Sequence, residues 1–169
     1  MRGHRRDSFV LAAAVGLIGI TFGVFADTSG FSLAQASALS VLTFTGASQF
    51  AAVSVIGSGG NPGAAVVSGL LLAARNSLYG PVVAPVLRVR RGRRAMAAQF
   101  VIDETTAMMS AQDDPETARD AFWFTGLWLF AFWNVGTVVG VLAGGLLEDP
   151  GTWGLAAAFP AAFVALIVP

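Results

Sequence analysis

Hydrophobic positions in this chain come in long unbroken runs, not in the every-second or every-third patterns of elements that face water on one side. Residues 9–26 (FVLAAAVGLIGITFGVFA) are uncharged over 18 positions. After Asp27, residues 28–74 form an uncharged run of 47, residues 121–147 add 27 and residues 150–169 a further 20. A bilayer core about 30 Å thick is crossed by about 20 helical residues, so the longest run holds more than one segment. Turn-forming clusters divide the runs at 27–30, at GSGGNPG over 57–63, at 88–94, at 112–116 around Pro115, and at 148–151. Six hydrophobic segments result: 9–26, 33–56, 64–87, 95–111, 120–147 and 152–169. The pattern predicts an all-α, polytopic integral membrane bundle, a single domain over 1–169. Only segment 95–111, which contains Asp103 and Glu104, is weak as a span by hydropathy alone.

Composition sharpens this reading mainly by exclusion. Hydrophobic residues make up 55% of the chain, charged residues 12%, and mean hydropathy is +0.69; globular domains carry about 25% charge. Ten basic residues, all Arg, balance ten acidic ones, so no net field attracts nucleic acid. With no cysteine and a single histidine, His4, the chain has no thiolate chemistry, no multi-histidine metal site and no His-based triad. The expectation is a non-enzyme with no cofactor or metal. Gly57-Ser58-Gly59-Gly60 lacks the lysine and following Ser/Thr of a phosphate loop and reads as a plain loop. Trp123, Trp128, Trp133 and Trp153 read as interface anchors and packing residues. The basic start followed by an apolar stretch has the layout of a signal peptide. Val24-Phe25-Ala26 fits a cleavage site poorly and more membrane follows, so the first segment is read as a retained span.

Arginine sets the orientation. Arg2, Arg5 and Arg6 precede the first span, and Arg88, Arg90, Arg91, Arg93 and Arg94 crowd one loop. The positive-inside rule places both groups in the cytoplasm, and binding of the second group to anionic lipid heads would demand the same side. An even number of crossings must separate them, yet three segments lie between. The second segment is the one expected not to cross, because Thr43, Thr45, Gly46, Ser48 and Gln49 cluster at its middle. Irregular backbone at membrane depth requires cover from protein or a water-filled cavity, so a broken, re-entrant helix is predicted there. The acidic stretch 112–119 would then face away from the cytoplasm. Gly16, Gly19 and Gly23 are echoed by Gly136, Gly140 and Gly144, about 120 residues on, and Leu33-Ala34 by Leu155-Ala156. With three crossings between them the two copies would run in opposite directions, as in transporters built from inverted repeats. Alternatively, small residues at such spacing only mark close helix packing.

Polar residues inside the apolar runs are the candidate chemistry. Arg75 lies near the middle of segment 64–87, where a charge costs about 2.5–3.5 kcal/mol. It therefore needs a partner or a cavity. Arg75 sits roughly 18 Å, and Asp103 roughly 12 Å, from the arginine-rich loop along their helices, which makes Asp103 or Glu104 the nearest partner. A buried Arg–carboxylate group flanked by Asn76, Gln49 and Thr45 is expected. Three readings of it stay open: solvated carboxylates on an unembedded segment, a structural ion pair, or a coupling role.

Phe22-Gly23, FTGASQF at 44–50, RNSLY at 75–79 and Asp103-Glu104 before a short polar loop occur in this order along the chain. In this the sequence resembles the AzlC-type branched-chain amino-acid permeases. FTGASQF is the most specific element. Ala73 stands where members often carry Asn, with Asn76 after Arg75 instead. The resemblance implies a secondary transporter component of the bacterial inner membrane, N-terminus cytoplasmic, that exports valine, leucine, isoleucine and similar small apolar amino acids. It implies a small hydrophobic AzlD-type partner subunit, and further C-terminal spans beyond Pro169, where the chain ends in what resembles the start of a second repeat. The pathway candidates are Thr45, Gly46, Ser48, Gln49, Arg75 and Asn76, with Asp103 and Glu104 as a coupling or ion pair. Half-helix amides near Gly46–Gln49 are expected to receive the substrate carboxylate. The alternative is a channel or a non-transporting subunit of a larger complex.

Overall fold

The computed structural model describes residues 3–146. In order these form α1 (Gly3–Thr28), α2 (Leu33–Leu42), α3 (Gly46–Gly57), α4 (Pro62–Ala73), α5 (Gly80–Leu87), α6 (Arg94–Gln99), α7 (Asp103–Ser110) and α8 (Pro115–Gly144). A 3-10 stretch, Ala74–Tyr79, joins α4 to α5, and a shorter one, Arg91–Arg93, precedes α6. No strand occurs among the described residues, and three rods are long and apolar enough to cross a bilayer: Gly3–Thr28, Pro62–Leu87 and Pro115–Gly144. The predicted segment 152–169, with Leu155, Ala156 and Trp153, lies outside the described residues.

Helix starts are written locally. Ser32 and Gln35 form a reciprocal capping box at α2, the backbone N–H of Gln35 donating to Ser32 Oγ and that of Ser32 to Gln35 Oε1. Asn61 Oδ1 accepts from the Ala64 N–H at 2.9 Å, with Pro62 opening α4. Asp114 Oδ2 accepts from the Thr117 N–H at 2.8 Å ahead of α8, with Pro115 in its first turn.

α1 and α8 form the main packed pair, and they are parallel. Ser8 Oγ and Thr125 Oγ1 are 2.7 Å apart. Gly16 abuts Phe132, Gly19 the Trp133 backbone, Gly23 the Thr137 and Gly140 backbone, and Gly144 the Asp27 side chain. Partner numbers rise together along the seam. The two glycine series are therefore its two faces, letting the backbones approach as small residues do in membranes. The expectation that these copies run in opposite directions is corrected: one full crossing, not three, lies between α1 and α8.

The second segment does return. Ser40 Oγ lies 3.1 Å from Thr137 Oγ1, Phe50 packs edge-on to Phe22 and stacks on Phe25, and Gly57 meets Ser29 at the end of α1. α2 thus descends from the Thr28 end of α1, and α3 climbs back to it. Residues 43–45 break the helix; Thr45 is extended at φ −155°. From there α4, the 3-10 stretch and α5 cross completely: Gly69 faces the Ser48 carbonyl, and Arg119 donates to the Val86 carbonyl at 3.0 Å near the start of α8. The Arg88–Arg94 loop accordingly lies at the same end as the N-terminus.

Segment 95–111 is a second hairpin, entering from that arginine end. Phe100, at its tip, packs against Phe44, Phe130 and Trp123, and α7 then leads back to Asp114. This is why the crossing count was wrong, and why 112–119 lies at the arginine end and not opposite it. The structure supplies a different inverted pairing. About 57 residues separate the first residues of α3 and α7, and about 59 those of α1 and α4. A rod followed by a hairpin occurs twice, the second time upside down.

Two outcomes follow from this arrangement. In this cysteine-free chain, Ser58→Cys should react with an impermeant thiol reagent from one side, and both Arg91→Cys and Asp113→Cys from the other. Labelling of Asp113→Cys together with Ser58→Cys would restore the three-crossing topology. Gly140→Ala, whose new Cβ would collide with the Ile20 carbonyl, should lower folded yield in detergent by an amount matching an overpacking cost of about 1–3 kcal/mol, whereas Gly80→Ala, in open space, should not.

Candidate functional site

Gly46 lies against the Trp133 ring. Trp133 is the nineteenth of the 30 residues of α8, so the break at 43–45 sits deep inside the bundle. A helix starting there presents its first N–H groups, with their partial positive charge, to the interior. The Thr45 side chain does not cap α3. Ser48, in the first turn, is fully buried, and its Oγ has no hydrogen-bond partner among the described residues.

Ser48 lines a cleft of about 530 Å³ bounded by α2, α3 and α4. Gly30, Phe31 and Pro62 line it at the Thr28 end of α1; Thr43, Ser48 and Ala73 line it beside the break. Most of the wall between is aliphatic, with Leu39, Ala52, Ile56, Val66 and Leu70 contributing, and Gln35 is the longest polar side chain on it.

Gln49 points the other way. Its Oε1 accepts from Trp133 Nε1 at 2.9 Å, and its Nε2 donates to the Thr43 and Ser40 carbonyls at 3.2 and 3.4 Å. The amide is consumed in stitching the break to α8. The expectation that it flanks Arg75 is corrected: the side chain is fully buried among α2, α3 and α8.

Arg75 Nη2 is 2.7 Å from Asp103 Oδ2, and the Tyr79 hydroxyl donates to Asp103 Oδ1 at 2.5 Å. The structure thus brings together the rod carrying Arg75 and the second hairpin. It does so where the rod tightens into its 3-10 stretch. The pair is not buried as expected: the side chains are 42% and 39% exposed. Glu104 forms no ion pair with any described residue, and Asn76 Oδ1 is buried without a hydrogen-bond partner among them. Asp103 and Glu104 occupy the first turn of α7, where carboxylates suit the helix dipole. The equivalent first turn of α3 contains Gly46, Ala47 and Ser48, and no acid.

Two groups were given no role from the sequence, although Tyr79 closes the RNSLY motif. Tyr79 stands four residues after Arg75, a spacing that could have marked it as a neighbour. At the arginine end, Asp120 accepts from Arg5 through both oxygens at 2.6 and 2.8 Å and lies 2.6 Å from His4 Nε2. No local spacing announces a contact between residues so far apart in the chain.

Comparison with known proteins agrees with this architecture. A family described as AzlC protein matches residues 10–147. An uncharacterized membrane protein of Archaeoglobus fulgidus is 31% identical over 166 residues, which cover 96% of this chain and 72% of that protein. Inner membrane protein YgaZ of Escherichia coli is 27% identical over 149 residues, 85% of this chain and 61% of its own length. An uncharacterized membrane protein of Helicobacter pylori is 26% identical over 130 residues, 76% of this chain and 57% of its own. The chain therefore spans from 57% to 72% of the length of these relatives. No solved structure matches it. With a family match across most of its length and this helical membrane architecture, the chain belongs to the AzlC family of membrane proteins.

Proposed function

We propose that the chain is the permease component of a secondary transporter that exports small apolar amino acids, valine, leucine and isoleucine among them, across the inner membrane, its N-terminus cytoplasmic. The observation that supports this most is the bare first turn of α3, deep in the bundle, with the buried Ser48 hydroxyl unpartnered among the described residues at the end of an aliphatic cleft. A carboxylate fits there. The Ser48 hydroxyl, on the cleft wall, donates to it, and the half-helix dipole favours its charge. Leu39, Ala52, Val66 and Leu70 accept the aliphatic side chain. At the equivalent position of the second hairpin, the chain's own Asp103 and Glu104 supply the negative charge. Asn76 Oδ1, a buried acceptor without a partner among the described residues, suits a substrate ammonium. Gln49 holds the break in shape, and Thr45 lies at its edge. The Arg75–Asp103 pair and Glu104 are the coupling group. A small hydrophobic subunit completes the transporter.

Export of labelled valine from vesicles should saturate. Ser48→Ala should raise KM at least tenfold at unchanged folded yield, the effect of losing one hydrogen bond to a charged group. An unchanged KM would remove Ser48 from the site. For the ion pair, Arg75→Ala and Asp103→Asn should each lower yield and flux, because each leaves a lone charge in the membrane interior. The double variant should recover part of the yield and none of the flux. Recovery of flux together with yield would make the pair structural.

A further inference from the structure

The cleft runs from Gly30, Phe31 and Pro62, at the Thr28 end of α1, to Thr43, Ser48 and Ala73 beside the break. Its lining comes from the α1–α2 turn and from α2, α3 and α4, with no residue of α6, α7 or α8. Below its floor the tips of the two hairpins meet. Gln99 Nε2, at the end of α6, donates to the Val41 carbonyl at 2.8 Å and to the Leu42 carbonyl at 3.4 Å, supplying from another element the donors that the C-terminus of α2 lacks. Beside it the Phe44 ring packs edge-on to Phe100 at 5.9 Å and to Phe130 at 5.1 Å. Phe44 and Phe100 lie two and three residues before α3 and α7, so the two inverted units touch each other through their own tips.

This contact differs in kind from the α1–α8 seam. There, backbone lies against backbone over several turns. Here, one side-chain amide and the Phe44 and Phe100 rings close the junction, the amide's hydrogen bond being exposed and the rings resting on α8 at Phe130.

Building on the permease reading above, we propose that Gln99 is the latch of the transport cycle. The structure is the state open on the side opposite the arginine loop, and the bond from Gln99 to the end of α2 keeps the pathway shut on the arginine side. Substrate leaves or enters there only when the tips part. The hairpins are the moving parts, and α1 with α8 the fixed frame. Gln99 is a positioning residue: it binds no substrate, and it acts through the placement of α2 and the break that follows.

The absence of cysteine allows a direct test on the full chain. Leu42→Cys and Gln99→Cys, joined by a short reducible thiol cross-linker after folding, should lower valine flux more than tenfold, and reduction should restore it. Flux at the uncross-linked rate would overturn the proposal. A second arm needs no substrate. Ala73→Cys, at the floor of the cleft, should label with an impermeant thiol reagent from the Ser58 side. Adding Gln99→Leu should shift the ratio of labelling about fivefold toward the arginine side, the population change expected for one hydrogen bond. An unchanged ratio would overturn the latch. A shifted ratio in a protein that carries no valine would keep the latch and refute the substrate assignment.

Discussion

Inside a bilayer no water is available to satisfy a peptide group, so each interruption of a helix creates N–H and C=O groups that must find partners in the protein. Both hairpins are organised around that demand. At the first break, the Ser40 and Thr43 carbonyls receive Gln49 Nε2, and Val41 and Leu42 receive Gln99. At the second, Thr105 Oγ1 donates to the Phe100 carbonyl at 2.6 Å, with the Ile102 carbonyl 3.1 Å away, and accepts from the Ile102 N–H. Among the described residues four buried side-chain atoms remain without a partner, Ser48 Oγ in the first turn of α3 and, elsewhere, Asn76 Oδ1, Thr106 Oγ1 and Asn134 Oδ1. An economy of this sort separates scaffold from proposed site: partnered groups fix the shape of the break, and the Ser48 hydroxyl beside it is free for the proposed substrate.

The rods make that economy possible. α1 and α8 lie so close at Gly23 and Gly140 that they act as a single wall, and both breaks are tied to it. The first is held by Trp133 and Thr137, the second by Phe100 packing into the space over Gly126. The rod from Pro62 to Leu87 packs more loosely, and it carries the 3-10 stretch with Arg75, Asn76 and Tyr79. The Arg75–Asp103 pair is thus carried on the loosely packed rod, away from the α1–α8 seam.

Much of this was readable from the residues, and the failures have clear causes. The re-entrant second segment follows from parity: two arginine clusters on one side, three segments between, and a polar cluster in just one of them. The second hairpin escaped the same logic because Asp103 and Glu104 were weighed as a hydropathy deficit and not as the first turn of a helix starting at depth. That one omission reversed the direction of α8 and misplaced residues 112–119. The glycine echo was real in position. It spans two rod-and-hairpin units, and two inversions restore the original direction. At the site, the sequence displayed Thr45, Ser48 and Gln49 as one polar cluster. Only tertiary contacts reveal that Gln49 is occupied by Trp133 while Ser48 is not. Likewise, chain spacing brought Arg75 near Asp103 but could not reveal how open the pair is.

The parallel seam between α1 and α8 also has a consequence in time. Ser8 and Thr125, which touch, are 117 positions apart, and a ribosome adding about 5–20 residues per second needs roughly 6–23 s to cover that distance. For that interval the first helix stands in the lipid with its glycine groove uncovered, while both hairpins and the rod between them are made and inserted beside it. Lipid tails fill such a groove at little cost, since no hydrophobic force drives one helix onto another in a membrane. The wall that holds both breaks is completed by the last described element to be synthesised, so the hairpins reach their final shape only after the rods between which they hang are already in place.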